Sequence, residues 1–379
     1  MAPALPSRPI SGRGRDRRRG LARAGGMSIR LHPRNIPLKL VCHIGTPKTA
    51  STFLQNTFAQ NRDWLARRGI VFPDLMTPNP NHITLFYASA RGLHDFARDY
   101  GLKDAADVAA LRDRLGHAIE AQIAGAPAGA HTMLISSENL TGNLRHADEV
   151  ARLADLLAPH FDGMRFVVYL RRQDQALLSM YAEFMRRGFS AAAFDDFVGN
   201  ALGPKRTVPY LFYRKMLEDW SGVVGRAALE VRLFDPAEMA GGDILADLLA
   251  LILGEVPADL DAVARADAAN VSLSAPVLEF LRRIHPHLPF RKEGRLNPVR
   301  ARLGGRIDKL PATPRPQMSA AQSQRIMEHF AADNAWLRDT FFPGRPGPVF
   351  PDRPDRPDQG NLGQLNMNEA IRIAAELLT

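Results

Sequence analysis

The residues most able to do chemistry stand in one run, Cys42-His43-Ile44-Gly45-Thr46-Pro47-Lys48-Thr49-Ala50-Ser51-Thr52, between an apolar segment and an amphipathic one. The pattern predicts a strand handing over to a helix at this point. A helix N-terminus offers unpaired backbone N–H groups and the positive end of a dipole, so such a junction suits a phosphate. Thr49, Ser51 and Thr52 add hydroxyl donors and Lys48 adds a point charge. A polar helix cap would explain any one of those hydroxyls, but not the Gly-x-Pro-Lys-Thr that precedes them. The second glycine of Gly-x4-Gly-Lys-Ser/Thr is missing, so the run departs from the P-loop pattern of kinases.

A second candidate lies in Phe166-Val167-Val168-Tyr169-Leu170-Arg171-Arg172-Gln173-Asp174, continuing to Ser179-Met180-Tyr181. An arginine fork at a strand end, Arg171, and a hydroxyl two turns into the next helix, Ser179, can converge on one phosphate. The blander alternative pairs an arginine with Asp174 and leaves Ser179 as a helix filler. A third candidate, Leu134-Ile135-Ser136-Ser137-Glu138-Asn139, ends a strand at the edge where ligands sit in open parallel sheets. Glu138 there could take a proton from a substrate hydroxyl, or could simply be a loop or capping carboxylate. His82, in Asn79-Pro80-Asn81-His82, is the rival base; the polar residues around it predict a solvated loop. His43, just before Gly45, reads as structural.

Gly-Thr-Pro-Lys-Thr-Ala-Ser-Thr resembles the 5′-phosphosulfate loop of sulfotransferases that use 3′-phosphoadenosine 5′-phosphosulfate (PAPS), where Pro-Lys-(Ser/Thr)-Gly-(Thr/Ser)-Thr is usual. Arg171 and Ser179 have the spacing of that family's 3′-phosphate motif. The likeness, to bacterial members in particular, implies transfer of a sulfuryl group from PAPS to an acceptor hydroxyl on a carbohydrate, a lipid or a small metabolite, with no metal. It implies that Lys48 holds the bridging oxygen between sulfate and 5′-phosphate. Gly45, Pro47, Thr49, Ala50, Ser51 and Thr52 would form the cradle, Arg171 and Ser179 would hold the 3′-phosphate, and Glu138 or His82 would be the base. In this family His82 would lie where acceptors enter. Ala50 departs from the pattern, standing where glycine is usual; a methyl group is tolerated there in a helical conformation but not where φ is positive. Arg291-Lys292-Glu293-Gly294-Arg295 only loosely echoes a further nucleotide contact, and Asn270–Ser274 also looks like bacterial members. Two alternatives stay open: a nucleotide or small-molecule kinase on the same fold, and a non-catalytic nucleotide-binding protein with a decayed loop.

The elements that must position these residues follow from periodicity. Strands are expected at Leu38–Ile44, Thr132–Ser136, Phe166–Leu170 and, half-exposed, at Leu229–Phe234. Helices are expected at Ser51–Arg68, Asp104–Ala124, Asp148–Leu157 and Gln173–Arg187. Strands alternating with helices predict an α/β fold, a central parallel sheet flanked by helices and similar to the P-loop nucleoside-triphosphate hydrolases. Helical additions follow, with Ser274–Ile284 and Ser319–Phe341 the clearest, and a Pro, Arg and Gly-rich surface segment, 285–316, between them. The expected division is a basic extension over 1–36, the catalytic domain over 37–342, and over 343–379 a proline-rich tail with a short helix at Asn366–Leu378.

Charge also excludes some functions. The chain of 379 residues carries a net +9, but nine arginines and a single acid, Asp16, fall within residues 1–36. The rest is nearly neutral, and the basic stretch has no aromatic side chains to stack on bases, so nucleic-acid binding is not expected. That stretch has no apolar periodicity and is expected to be dispensable, with Met27 a plausible alternative start. The one cysteine, Cys42, permits no intrachain disulfide and suits a reducing, cytoplasmic setting. No run approaches the ~20 apolar residues of a membrane span.

Overall fold

Successive side chains of the strand at the start of the folded region point alternately to two apolar layers, which places it in the middle of a sheet covered on both faces. The computed structural model describes residues 38–77, 79–204, 208–267, 273–289, 291–292, 295–352 and 356–378. The basic stretch 1–36, most of Asn270–Ser274, and Glu293 and Gly294 of Arg291–Arg295 lie outside what can be described.

β1 (Lys39–His43) is followed by α1 (Ser51–Gln60), α2 (Arg62–Ala66) and a short β2 (Ile70–Val71). α3 (Thr84–Ser89), α4 (Asp95–Asp99) and α5 (Ala105–Ala124) lead to β3 (Thr132–Ser136). α6 (Asn139–Asn143) and α7 (Ala147–Leu157) lead to β4 (Gly163–Leu170), and α8 (Gln173–Arg187), α9 (Phe194–Leu202) and α10 (Tyr213–Val224) to β5 (Leu229–Leu233). After α11 (Ile244–Leu253) and α12 (Ala275–Ile284) comes a small antiparallel pair, β6 (Arg291–Lys292) and β7 (Arg295–Leu296). The chain ends with α13 (Pro298–Ile307), α14 (Ala320–His329), α15 (Ala331–Phe341) and α16 (Met367–Leu378).

The five strands β1 to β5 form one sheet in the order β2-β3-β1-β4-β5, and every pairing in it is parallel. Leu40, Cys42, Met133, Ile135, Phe166 and Val168 face a core closed by α3, α5, α7 and α10. Val41, Leu134, Val167 and Tyr169 face the opposite layer, closed by Leu54 and Phe58 of α1, Trp64 and Leu65 of α2, and Leu245, Leu248 and Leu249 of α11. This is the α/β architecture expected, with both faces of the sheet buried. β5 is an edge strand with alternating burial, which fits its half-exposed pattern.

The strand order has a functional consequence. From β1 the chain builds β2 and β3 on one side and then β4 and β5 on the other. The direction of winding therefore changes around β1, and a crevice opens beyond the C-terminal ends of β3, β1 and β4.

Three expected elements differ in detail. The helix predicted over Ser51–Arg68 is broken at Asn61, whose side chain bonds Thr57 O at 2.7 Å and both Ala264 O (2.8 Å) and Ala264 N (3.0 Å). A tertiary contact thus outweighs helical periodicity there. The helix predicted over Ser319–Phe341 breaks at Phe330, which is buried and left in a non-helical conformation between α14 and α15. The segment 285–316, expected as surface chain, carries α13. Among the described residues no helix is long and apolar enough to cross a membrane.

Candidate active site

The turn after β1 is gripped from both neighbouring strands. Ile44 N bonds Val167 O of β4 at 2.9 Å, and Thr46 Oγ1 donates to Tyr169 O at 2.8 Å. On the other side, the Thr141 hydroxyl of α6 donates to the Gly45 carbonyl, and a side chain on Gly142 would press against Pro47 at 3.3 Å. Gly45 has φ of 49°, and a Cβ there would lie 3.0 Å from Ser51 Oγ and 3.3 Å from Glu138 Cα, so a side chain at this position would be both strained and crowded.

Lys48 and Ala50 are both in the left-handed region, with φ of 72° and 58°. A backbone that passes through such positions turns successive N–H groups toward one concave side, the geometry of an anion-binding nest. Ala50 thus has the conformation in which a methyl group is disfavoured, and it does so as the N-cap of α1 without any side-chain cap. Thr49 is buried and donates to Thr46 O at 2.7 Å, so its hydroxyl braces the loop and does not face outward. Ser51 is different. Its Oγ is buried and has no hydrogen-bond partner among the described residues, although it lines the cavity. A buried donor of this kind is costly unless something accepts from it.

The cavity has a volume of about 810 Å³ and brings together most of the residues singled out from the sequence. Pro47, Lys48, Ala50, Ser51 and Thr52 line it from the loop, Arg171 and Ser179 from the β4–α8 connection, and Glu138 from the end of β3. Its wall holds six cationic side chains (Lys48, Arg171, Arg186, Arg187, Arg315, Arg356) against two carboxylates, Glu138 and Glu183. Phe53 and Phe234 add aromatic faces, with the Arg171 guanidinium 5.6 Å from the Phe234 ring centroid. Cationic groups beside aromatic faces in one concave site suit a nucleotide carrying several phosphate or sulfate groups.

Arg171 and Arg172 divide their tasks. Arg171 Nη1 donates to Lys48 O at 3.0 Å, which ties the two motifs. Arg172 turns to the buried Asp174, its Nε 3.2 Å from both carboxylate oxygens, and donates to the Pro351 carbonyl. Asp174 also takes Ser323 Oγ at 2.5 Å and Arg356 Nη2 at 2.7 Å. The ion pairs with Asp174 therefore belong to Arg172 and Arg356, and Arg171 lines the cavity instead.

Glu138 is half-buried, and its Oε2 accepts from Gln55 Nε2 at 2.8 Å. Gln55 is buried on α1, one helical turn beyond Ser51, and its amide also reaches Ser136 Oγ at 3.3 Å. Ser136 Oγ lies 2.8 Å from His43 Nδ1. Burial lowers the His43 pKa to about 4, so this histidine is neutral at ordinary pH. It is enclosed within the sheet, as its structural reading required.

His82 does not behave as expected. It is buried, not in a solvated loop, and it is not among the residues lining the cavity. Its Nδ1 lies 3.1 Å from Ser136 N, its Nε2 lies 3.0 Å from Pro73 O, and its ring packs on Phe72 with centroids 5.0 Å apart. Burial lowers its pKa, and the neutral tautomer with Nε2–H satisfies both contacts. Its φ of 43° is the bend that carries the polar-looking Asn-Pro-Asn-His turn inward. Local composition predicted exposure, and long-range backbone bonding overrode it.

Two functional candidates had a local signal that went unread. Gln55 follows Ser51 by four residues, and Glu183 follows Ser179 by four on α8, so each shares a helix face with a recognised residue. Arg315 and Arg356 had no such signal, because only tertiary packing brings them to the wall.

No protein-family model matches the chain, and no curated protein matches it in sequence. Among solved structures, it is similar to a crystal structure of a sulfotransferase from Alicyclobacillus acidocaldarius. The identity is 14%, over 80% of this chain and 95% of that one, with a TM-score of 0.40. By strand order and lining residues, the chain is an α/β protein with a parallel sheet and a cavity rich in cationic side chains at its switch point.

Proposed function

We propose that this chain is a sulfotransferase that moves the sulfuryl group of PAPS onto a hydroxyl of an acceptor. The observation that carries the reading is the convergence on one cavity of the Pro47–Thr52 loop, whose Ser51 hydroxyl has no partner among the described residues, and of Arg171 with Ser179. That arrangement supports a ligand with anionic groups at both its 5′ and 3′ ends, as PAPS has. Loop amides, Ser51 and Thr52 would hold the 5′-phosphate, and Arg171 and Ser179 the 3′-phosphate.

In the reaction, the acceptor oxygen forms a bond to sulfur while the bond from sulfur to the 5′-phosphate oxygen breaks. Lys48 donates to that leaving oxygen as negative charge develops on it. Glu138, held by Gln55, takes the proton of the acceptor hydroxyl. Positioning and charge neutralisation supply most of the acceleration, as in phosphoryl transfer through a loose transition state.

The test uses ³⁵S-labelled PAPS with a panel of carbohydrate, lipid and small-molecule hydroxyl compounds. Label should pass to at least one class, and adenosine 3′,5′-bisphosphate should raise the melting temperature more than ATP with magnesium does. Stabilisation by ATP with magnesium alone, accompanied by ATP turnover, would replace this reading with a kinase.

A further inference from the structure

Lys48 has an anionic partner inside the chain. Its Nζ lies 3.5 Å from Glu183 Oε2, with both side chains about one-fifth exposed (20% and 19%). Glu183 projects into the cavity from α8, one turn beyond Ser179, while its other oxygen accepts from Arg187 on the same helix. The second carboxylate of the cavity, Glu138, is engaged by Gln55. Glu183 is thus the acid directed at the lysine on which the transfer depends.

We propose, resting on the sulfotransferase reading, that Glu183 competes with the nucleotide for Lys48 and so sets how tightly the donor and the bisphosphate product are held. A single ammonium cannot serve a carboxylate at 3.5 Å and a phosphate oxygen equally, so binding the nucleotide weakens one contact as it forms the other. The carboxylate stays charged throughout. Burial pushes its pKa up, but Lys48, Arg187 and Arg186 more than offset this and leave it below the usual glutamate value. Glu183 therefore keeps a negative charge beside a site that binds polyanions. Held by that charge, Lys48 is less available to the nucleotide, which weakens ground-state binding and speeds release of the product.

The competition gives an effect opposite in sign to that of damage. Glu183→Gln keeps the size and an acceptor for Arg187 but removes the charge. Calorimetry with adenosine 3′,5′-bisphosphate should show Glu183→Gln binding tighter by roughly three- to fivefold, the upper worth of a partly exposed ion pair. In a Lys48→Ala background the same substitution should change affinity by less than about twofold, because the shared partner is gone. Unchanged or weaker binding by Glu183→Gln, with the melting temperature of the wild type, would overturn the proposal while leaving the sulfotransferase reading intact. Equal tightening in both backgrounds would also overturn it, since the effect would then be general charge and not competition for Lys48. A wild-type chain that does not bind the bisphosphate at all would remove both readings together.

Discussion

Arg171 Nη1 lies 3.0 Å from the carbonyl oxygen of Lys48, a hydrogen bond that joins the end of β4 to the loop after β1 across the centre of the sheet. One arginine thus both braces the loop backbone and faces the cavity. Arg171→Ala should weaken adenosine 3′,5′-bisphosphate more than it weakens an otherwise identical nucleotide lacking the 3′-phosphate. The difference should be roughly 1.5–3 kcal/mol, the worth of a charge-assisted bond. Equal losses by calorimetry would mean that Arg171 acts only as the brace.

Ala50 and Gly45 make a contrasting pair on the same loop. A left-handed residue with a Cβ costs roughly 1–2 kcal/mol, and glycine removes that cost while adding roughly 0.5–1 kcal/mol of unfolded-chain entropy. Ala50→Gly should therefore stabilise the chain slightly, by up to about 1 kcal/mol in denaturant unfolding. Gly45→Ala should destabilise it by about 2 kcal/mol or more, because its methyl adds crowding against Ser51 and Glu138 to the same strain. A loss of stability in Ala50→Gly would show that the bend at 50 is not strained.

The base and its support can be separated by substitution. Glu138→Gln should lower turnover by about 10²–10⁴ with little change in nucleotide affinity. Gln55→Leu should lower turnover less, by about tenfold, since it removes only the bond that orients the carboxylate. His82→Ala should act mainly on stability, costing about 2–4 kcal/mol through the loss of its bonds to Ser136 and Pro73 and of its packing on Phe72. Full stability with abolished turnover in His82→Ala would return the base role to that histidine.

Asp247 supports the site from behind. Its carboxylate accepts from the Tyr169 hydroxyl at 2.6 Å, Arg232 Nε at 2.9 Å and Ala240 N at 2.9 Å, and Tyr169 in turn presents the carbonyl that Thr46 grips. Burial pushes the pKa of Asp247 up, but Arg232, Tyr169 and the Ala240 amide outweigh it and leave the value below the ordinary one. A folded pKa below the unfolded one gives stability that is present above about pH 4 and is lost as pH falls through the folded value. Asp247→Asn should cost roughly 2–4 kcal/mol at pH 7, moderated by the partial exposure of Arg232. The gap between variant and wild type should narrow in unfolding experiments at pH 3. A gap independent of pH would mean that the charge on Asp247 contributes nothing.

What could be read from the sequence was whatever depends on neighbours along the chain. The strands and helices around β1, β3 and β4 follow from local periodicity, and the loop between β1 and α1 is a contiguous run whose residue types already suggest an anion. The same locality explains the misreadings. Asn61 and Phe330 break helices because each meets a distant segment or the core, which no periodic pattern records. His82 looks solvated among Asn79, Pro80 and Asn81, yet backbone groups of β3 and Pro73 enclose it. The tertiary structure alone decided that Arg171 and not Arg172 lines the cavity, that Ala50 adopts a positive φ, and that Glu183 reaches Lys48. The reach of Arg171 and of Glu183 to Lys48 depends on β1 and β4 lying as neighbours in the sheet, an arrangement set by burial of both sheet faces and not by any stretch of residues read alone.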